Sequence, residues 1–275
     1  MPDYTPIETT AKEYYDSDAA DHFYFQIWGG EDIHIGLYDE TGDIFTAGKR
    51  IVDKMSTLLP TLGKNSRILD LGSGYGGSAR QIASAHGSHV TCLNISDTQN
   101  KRNIEKNRDA GLEEKIDVVA GSFESIPFAD DSFDIVWSQD AFLHSGNREK
   151  VLQEAFRVLQ PGGSLIFTDP MQSDQADTEH LRPVLQRIHL QTMGSFPWYK
   201  KAAEATGFET VSMTDLTDQL VQHYTRVLQE LEKRSEEITS VSGNEYVEKM
   251  KAGLKVWIDA GAKSSLAWGI LHFKK

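Results

Sequence analysis

Asp70 stands two residues ahead of the glycines Gly72, Gly74, Gly76 and Gly77, and this is the first grouping in the chain with a chemistry of its own. Four glycines within six residues let the backbone turn sharply and bring it close to a ligand, because glycine accepts positive φ and has no side chain to intervene. The spacing Gly72-x-Gly74-x-x-Gly77 also fits the dinucleotide fingerprint, so the glycines point to an adenosine cofactor without separating NAD from others. The carboxylate separates them. At a strand end facing the ligand, Asp70 repels a pyrophosphate and attracts a cation. S-adenosylmethionine (SAM) is adenosine without phosphate, carrying an ammonium and a sulfonium, and it is the cofactor that suits this pairing.

Further candidates follow along the chain. Asn94, about two dozen residues beyond Asp70, occupies the place where dinucleotide folds put an acid on the ribose hydroxyls, so it must serve as a neutral hydrogen-bonding group. In Gly121-Ser122-Phe123-Glu124 a small residue and backbone amides are available to the adenine. Trp137-Ser138-Gln139-Asp140 closes the next strand, and Gln139 joins the cofactor set. If the following Ala141-Phe142-Leu143-His144 is a helical turn, Asp140 and His144 lie four apart on one face beside the cofactor. His144 is then the candidate proton acceptor, oriented by Asp140 or by a tyrosine hydroxyl.

The first 45 residues are too rich in rings for a disordered tail: Tyr14, Tyr15, Phe23, Tyr24, Phe25, Trp28. Most of these rings should pack onto the main domain as a cap. Tyr15, Tyr24 or Trp28, or Trp137 at the fourth strand, facing a small substrate would favour an alkylated, cationic nitrogen.

These residues need a scaffold, and the hydrophobic pattern supplies one. A helix is expected from Thr46 to Leu62. Strands are expected at 67–71, 89–95, 116–120, 133–138 and 164–168, with helices at 78–86, 98–110 and 148–159 between them. Such alternation means an α/β fold with a doubly wound, mostly parallel Rossmann-like sheet, its ligand beyond the strand C-termini. After the fifth strand the alternation stops, and helices are expected at 218–234 and 244–260. Tyr224 lies on the apolar stripe of the first, a packing position that is also a candidate substrate contact. The layout is thus an N-terminal cap (1–45), a SAM-binding core (46–171), a helical lid or substrate insertion (172–260) and a C-terminal strand returning to the sheet (261–275).

Composition bounds the partners. The chain has 275 residues, 39% of them hydrophobic, enough for one large domain with an elaborated insertion. A formal charge of −13 argues against nucleic acid or an anionic membrane, both of which reward clustered Lys and Arg. A single cysteine, Cys92, excludes an intramolecular disulfide and a cysteine-rich metal site, and no metal is expected. The N-terminal residues lack a signal-peptide pattern, and no apolar stretch approaches the roughly 20 residues of a membrane helix. A cytoplasmic protein acting on a small molecule, as a monomer or small homo-oligomer, is the expectation.

Several stretches resemble class I SAM-dependent methyltransferases: Ile68 to Gly77, Gly121 to Asp134, and Glu154-Ala155-Phe156-Arg157-Val158-Leu159-Gln160-Pro161-Gly162-Gly163. More closely, Trp28-Gly29-Gly30-Glu31-Asp32-Ile33-His34-Ile35-Gly36, Cys92-Leu93-Asn94-Ile95-Ser96, Leu143-His144-Ser145-Gly146-Asn147-Arg148 and Phe167-Thr168-Asp169-Pro170-Met171-Gln172 resemble the sarcosine/dimethylglycine N-methyltransferases. The likeness extends to Arg187-Ile188-His189-Leu190 and Leu266-Ala267-Trp268-Gly269-Ile270-Leu271. It implies methylation of partly methylated glycine to glycine betaine, with S-adenosylhomocysteine as the second product. A more distant similarity to phosphoethanolamine N-methyltransferases implies a tyrosine–histidine pair that closes the site and assists catalysis. Tyr15, or its neighbour Tyr14, would match that tyrosine, and His144 the histidine. The same resemblance implies Arg187 for the acceptor's anionic end, with His189 as a second donor. Glycine or phosphoethanolamine is the alternative acceptor.

Overall fold

A computed structural model describes residues 4–188 and 190–275. Two helices open the chain, α1 (Pro6–Asp16) and α2 (Asp18–Ile27). Pro6 sits at the start of α1, and Thr5 and Glu8 form a capping box that satisfies its first amides. Next come α3 (Ile44–Thr57), β1 (Arg67–Leu71), α4 (Gly77–His86), β2 (His89–Asn94), α5 (Asp97–Asp109), β3 (Ile116–Ala120) and β4 (Phe133–Gln139). A 3-10 turn at Phe142–His144 leads to α6 (Arg148–Val158) and β5 (Leu159–Gln172). The remainder is α7 (Thr178–Arg187), α8 (Phe196–Thr206), β6 (Glu209–Asp215), α9 (Thr217–Lys233), α10 (Ser235–Ser242), α11 (Asn244–Ala262) and β7 (Leu266–Lys274).

The sheet order is β3-β2-β1-β4-β5-β7-β6. The first five strands are parallel, and β7 runs antiparallel between β5 and β6. Successive residues of β1 feed opposite faces: Ile68 joins a core with Ile51, Met55 and Trp137, and Leu69 joins one with Val136, Leu152 and Phe167. With both faces covered, the open edges of the strands are their C-terminal ends, and ligands belong there. No helix among the described residues is long and apolar enough to cross a membrane.

Three features depart from the sequence reading. The aromatic N-terminus is helical, and its rings pack chiefly on the insertion: Phe23, Ile27 and Trp28 cluster with Val227, Leu231, Val247 and Leu254 of α9 and α11. Those helices cover β7 through Leu220, Trp257 and Ala260, and α2 covers the apolar residues they leave on the other side. The segment 172–260 is also not purely helical, because β6 leaves it to become the sheet edge. Finally, β5 is fourteen residues long, since β7 pairs with it from Ser164 through Gln172.

Gly269 of β7 marks how tightly that edge closes. A Cβ there would penetrate the carbonyl oxygen of Thr214 on β6. Gly269→Ala is therefore expected to lower the melting temperature by about 5 to 10 °C, as an overpacked core site does. Differential scanning calorimetry measures this, and an unchanged transition would mean that β6 yields freely.

Candidate active site

The cleft lies where β1, β2 and β4 end, and encloses about 920 Å³ of empty space including its mouth. Its floor is the β1 turn, its far wall the ends of β2 and β3, and its roof Glu8, Ala11 and Tyr15 of α1 with Asp32 to His34. A volume of this size accommodates a nucleoside cofactor and a small acceptor.

The glycines divide their work. Gly74 borders open space, its nearest neighbour to an added Cβ being Ile33 Cδ1 at 3.9 Å, so its bareness serves the ligand. Gly76 instead caps α4 at φ 78°, and a side chain there would strike Asn103. It does not line the cleft, and neither does Gly77. Gly72 lines it, but it too is bare for packing, against Ala141.

One end of the cleft is anionic. Asp70 is buried, and burial together with the nearby Asp32 carboxylate pushes its carboxyl up to about 7 against the opposing pull of His34. Asp70 lines the cleft and has no ion pair among the described residues, so it is a group that could hold a cation such as the ammonium of SAM. Burial works against the charge on Asp32, yet His34, the Ser78 amide and Arg80 hold it below the usual carboxylate range. Burial likewise opposes charge on His34, whereas Asp32 and Asp140 raise it above the ordinary value. Gln139 Oε1 accepts from Ser78 Oγ at 2.7 Å and Trp137 Nε1 at 3.0 Å. Its Nε2 is buried with no partner among the described residues, and so is Ser73 Oγ. Unmatched donors beside a paired acid and histidine suit the zwitterionic methionine end of SAM.

The middle of the cleft is neutral. Asn94 Nδ2 donates to Gln99 Oε1 at 3.0 Å, and both side chains are buried and line the cleft. Gln99 was not singled out from sequence; the capping spacing Ser96-x-x-Gln99 is the signal that turns it back toward the strand end, and its amide donates to Ser96 Oγ at 3.1 Å. Beyond the end of β3, Ser122 donates to the Glu8 carboxylate, so α1 is fastened there. Phe123 stands edge-on to Phe142 at 5.8 Å. Glu8 was likewise not anticipated, being hidden inside a capping box.

Also lining the cleft, Tyr15 Oη lies 3.1 Å from His144 Nε2. Of the adjacent tyrosines it is Tyr15 that meets the histidine, while the Tyr14 hydroxyl is turned to Tyr24 at 3.2 Å and Tyr246 at 3.4 Å. The Asp140 pairing does not form. Asp140 takes φ 53°, which breaks the helical spacing, and the turn begins only at Phe142. Its carboxylate accepts from Ile35 N at 2.6 Å, Trp268 Nε1 at 2.7 Å and Thr168 Oγ1 at 2.8 Å, none of them on His144. Beyond the turn, Glu124 Oε1 accepts from Ser145 Oγ at 2.6 Å and Gly146 N at 3.0 Å, which clasps the loop after His144 to the adenine segment.

Arg187 ends α7 and lies over Gly253 of α11, where any side chain would collide with its guanidinium. Its Nη2 is 3.2 Å from Met250 Sδ, and it has no acidic partner among the described residues. Burial drives the phenols of Tyr15, Tyr24 and Tyr224 upward, and the Arg187 charge opposes this at all three; of these four residues only Tyr15 lines the cleft. Trp28 sits one layer behind, 5.0 Å from Tyr24 and 5.6 Å from His223, inside the α2–α9–α11 cluster. Trp137 is fully buried in the core. His189 lies outside the described residues.

Residues 69–167 match the methyltransferase-domain family. The chain is 50% identical over 270 residues to the sarcosine/dimethylglycine N-methyltransferase of Aphanothece halophytica, covering 98% of each chain. It is 49% identical to the enzyme of the same name from Halorhodospira halochloris, over 97% of this chain and 96% of that one. A solved structure from Galdieria sulphuraria, assigned as a sarcosine dimethylglycine methyltransferase, is similar with a TM-score of 0.90 and 46% identity, over 95% of this chain and 98% of that one. With such identity across nearly its whole length, the chain belongs to the sarcosine/dimethylglycine N-methyltransferase family of SAM-dependent class I methyltransferases.

Proposed function

We propose that this chain methylates the nitrogen of sarcosine and of N,N-dimethylglycine, giving glycine betaine and S-adenosylhomocysteine. The observation that carries the reading is the Tyr15–His144 pair lining the cleft, with Arg187, a guanidinium without an acidic partner among the described residues, as the cation for the acceptor's carboxylate. A planar guanidinium matches a carboxylate, and aromatic faces match the alkylated ammonium at the other end of the acceptor. An oxidoreductase reading is disfavoured by Asp70 before the glycine turn and by a neutral amide at Asn94.

Bound SAM supplies a methyl group on a sulfonium, a leaving group good enough that no enzyme nucleophile is required. The chain's task is to hold an uncharged nitrogen about 3 Å from that carbon. A small aliphatic amine has an ordinary pKa of about 10, so it arrives protonated and must lose that proton in the site. Burial pushes His144 down to about 4, so its imidazole is neutral at neutral pH. In the tautomer with a lone pair on Nε2, the Tyr15 hydroxyl donates to it. The Tyr15 oxygen then takes the acceptor's proton while its own passes to His144. Arg187 is the residue to fix the carboxylate, and an aromatic face at the nitrogen, for which Tyr15 lines the cleft, stabilises the growing positive charge by on the order of 1 to 2 kcal/mol. The 172–260 insertion and α1 act as a lid that excludes water.

A labelled-methyl assay offering glycine, sarcosine, N,N-dimethylglycine and phosphoethanolamine should show transfer to sarcosine and N,N-dimethylglycine; transfer to phosphoethanolamine alone would sink the reading. Arg187→Ala should raise the acceptor KM by roughly 10- to 100-fold, the worth of a charged hydrogen bond, with SAM affinity unchanged by calorimetry. A loss confined to SAM binding would show that Arg187 serves the cofactor instead. The depressed His144 value means that the ring stays neutral as pH falls from 7 to 5. Its imidazole proton resonance, identified by its loss in His144→Gln, should titrate below pH 5, whereas a midpoint near the ordinary 6.5 would mean that the ring is solvated.

A further inference from the structure

We infer that Asp169, with Tyr199 behind it, is a positioning residue for His144, reaching it through the backbone of the 3-10 turn. Leu143 N donates to Asp169 Oδ1 at 2.9 Å, and the Tyr199 hydroxyl donates to Oδ2 at 2.7 Å. Asp169 and Tyr199 are both fully buried and neither lines the cleft, so neither meets cofactor or acceptor directly. What they hold is a turn of three residues whose other backbone bonds, His144 N to Ala141 O and Ser145 N to Phe142 O, are internal to it. Among the described residues, Leu143 N is the backbone amide through which the body of the fold grips the turn, one residue from the imidazole.

Tyr199 belongs to α8, outside the alternating core, and its own position is over-determined. It packs edge-on against Phe167 at 5.0 Å, and its ring fills the space at Gly194, where an added Cβ would collide with it. The chain Tyr199–Asp169–Leu143 thus runs from the insertion through β5 to the His144 turn. The sequence holds the acid inside Phe167-Thr168-Asp169-Pro170, where it reads as a strand end rather than as a support. Burial pushes its carboxyl up to about 8, opposed by the Tyr199 hydroxyl and the Leu143 amide. Asparagine has the same shape. It keeps an acceptor for Leu143 N and presents an amide that the Tyr199 oxygen can accept.

This inference rests on His144 being the proton acceptor, and the experiment separates the two. Asp169→Ala, Asp169→Asn and Tyr199→Phe are made alone and in the His144→Ala background, and single-turnover methyl transfer to N,N-dimethylglycine, acceptor KM and SAM affinity are measured. Asp169→Ala should slow transfer roughly 10- to 100-fold, the cost of a misplaced catalytic group, with KM and SAM affinity within about twofold. Tyr199→Phe should show a smaller loss of the same kind, and Asp169→Asn should recover most of the rate. In the His144→Ala background none should slow transfer further. Additive losses there, a loss traced to SAM affinity, or an unaffected rate in the single variants would overturn the positioning role. Should Asp169→Ala fail to fold, Tyr199→Phe, which removes one hydroxyl, decides by the same cycle. If His144→Ala alone retains the wild-type rate, it is the acceptor assignment that fails.

Discussion

The carboxylate of Asp140 collects donors from three separate parts of the chain: the amide of Ile35 in the N-terminal region, the hydroxyl of Thr168 on β5 and the indole of Trp268 on β7. Hydrogen bonds to a charged group are worth about 1.5 to 3 kcal/mol each, and losing the acceptor would also leave three donors unsatisfied. Burial raises the carboxyl of Asp140, and these donors offset the rise. The left-handed backbone at this residue, which aspartate tolerates better than most side chains, is held in place by the same contacts. The segment Asp32 to His34 that roofs the cleft, the end of β4 and the antiparallel edge all meet at this one group.

Around that knot the site is graded in charge. Asp70 and Asp32 make one end anionic, the amides of Asn94 and Gln99 make the middle neutral, and Arg187, outside the cleft lining beside Met250, is a cation with no acidic partner among the described residues. A cofactor that is positive at its reactive end and an acceptor that is negative at its far end both fit this order. Three fastenings bring α1 over the cleft: Glu8 to Ser122, Asp16 Oδ1 to Ser96 Oγ at 2.7 Å, and Tyr15 to His144. They lie beside Ser122, just beyond the end of β2 and at His144 in turn, so the one helix that roofs the cleft also carries Tyr15.

Much of this was legible from the residues. The five parallel strands, the glycine turn, Asp70 and His144 follow from local pattern and from chemistry carried by side chains near one another in sequence. The misses share a cause. The strand β6 alternates polar and apolar residues weakly because it is an edge with one partner, and α2 reads as part of a ring-rich cap because its apolar face is matched by α9 and α11, some two hundred residues away, whereas α1 packs on α5 and the 3-10 turn. Asp140 and His144 looked like a helical pair, yet a single positive φ redirected the acid.

The sequence by itself determined the cofactor, because an acid before a glycine turn and a neutral amide after the next strand are local statements about charge. It also determined the fold class, since a strand–helix period is written residue by residue. Only the tertiary structure decided which tyrosine meets His144, what Asp140 holds together, and that Arg187 lies against Met250 and Gly253 of α11. Those are contacts between segments more than a hundred residues apart, or between side chains on converging helices, and their geometry depends on packing that no local spacing encodes.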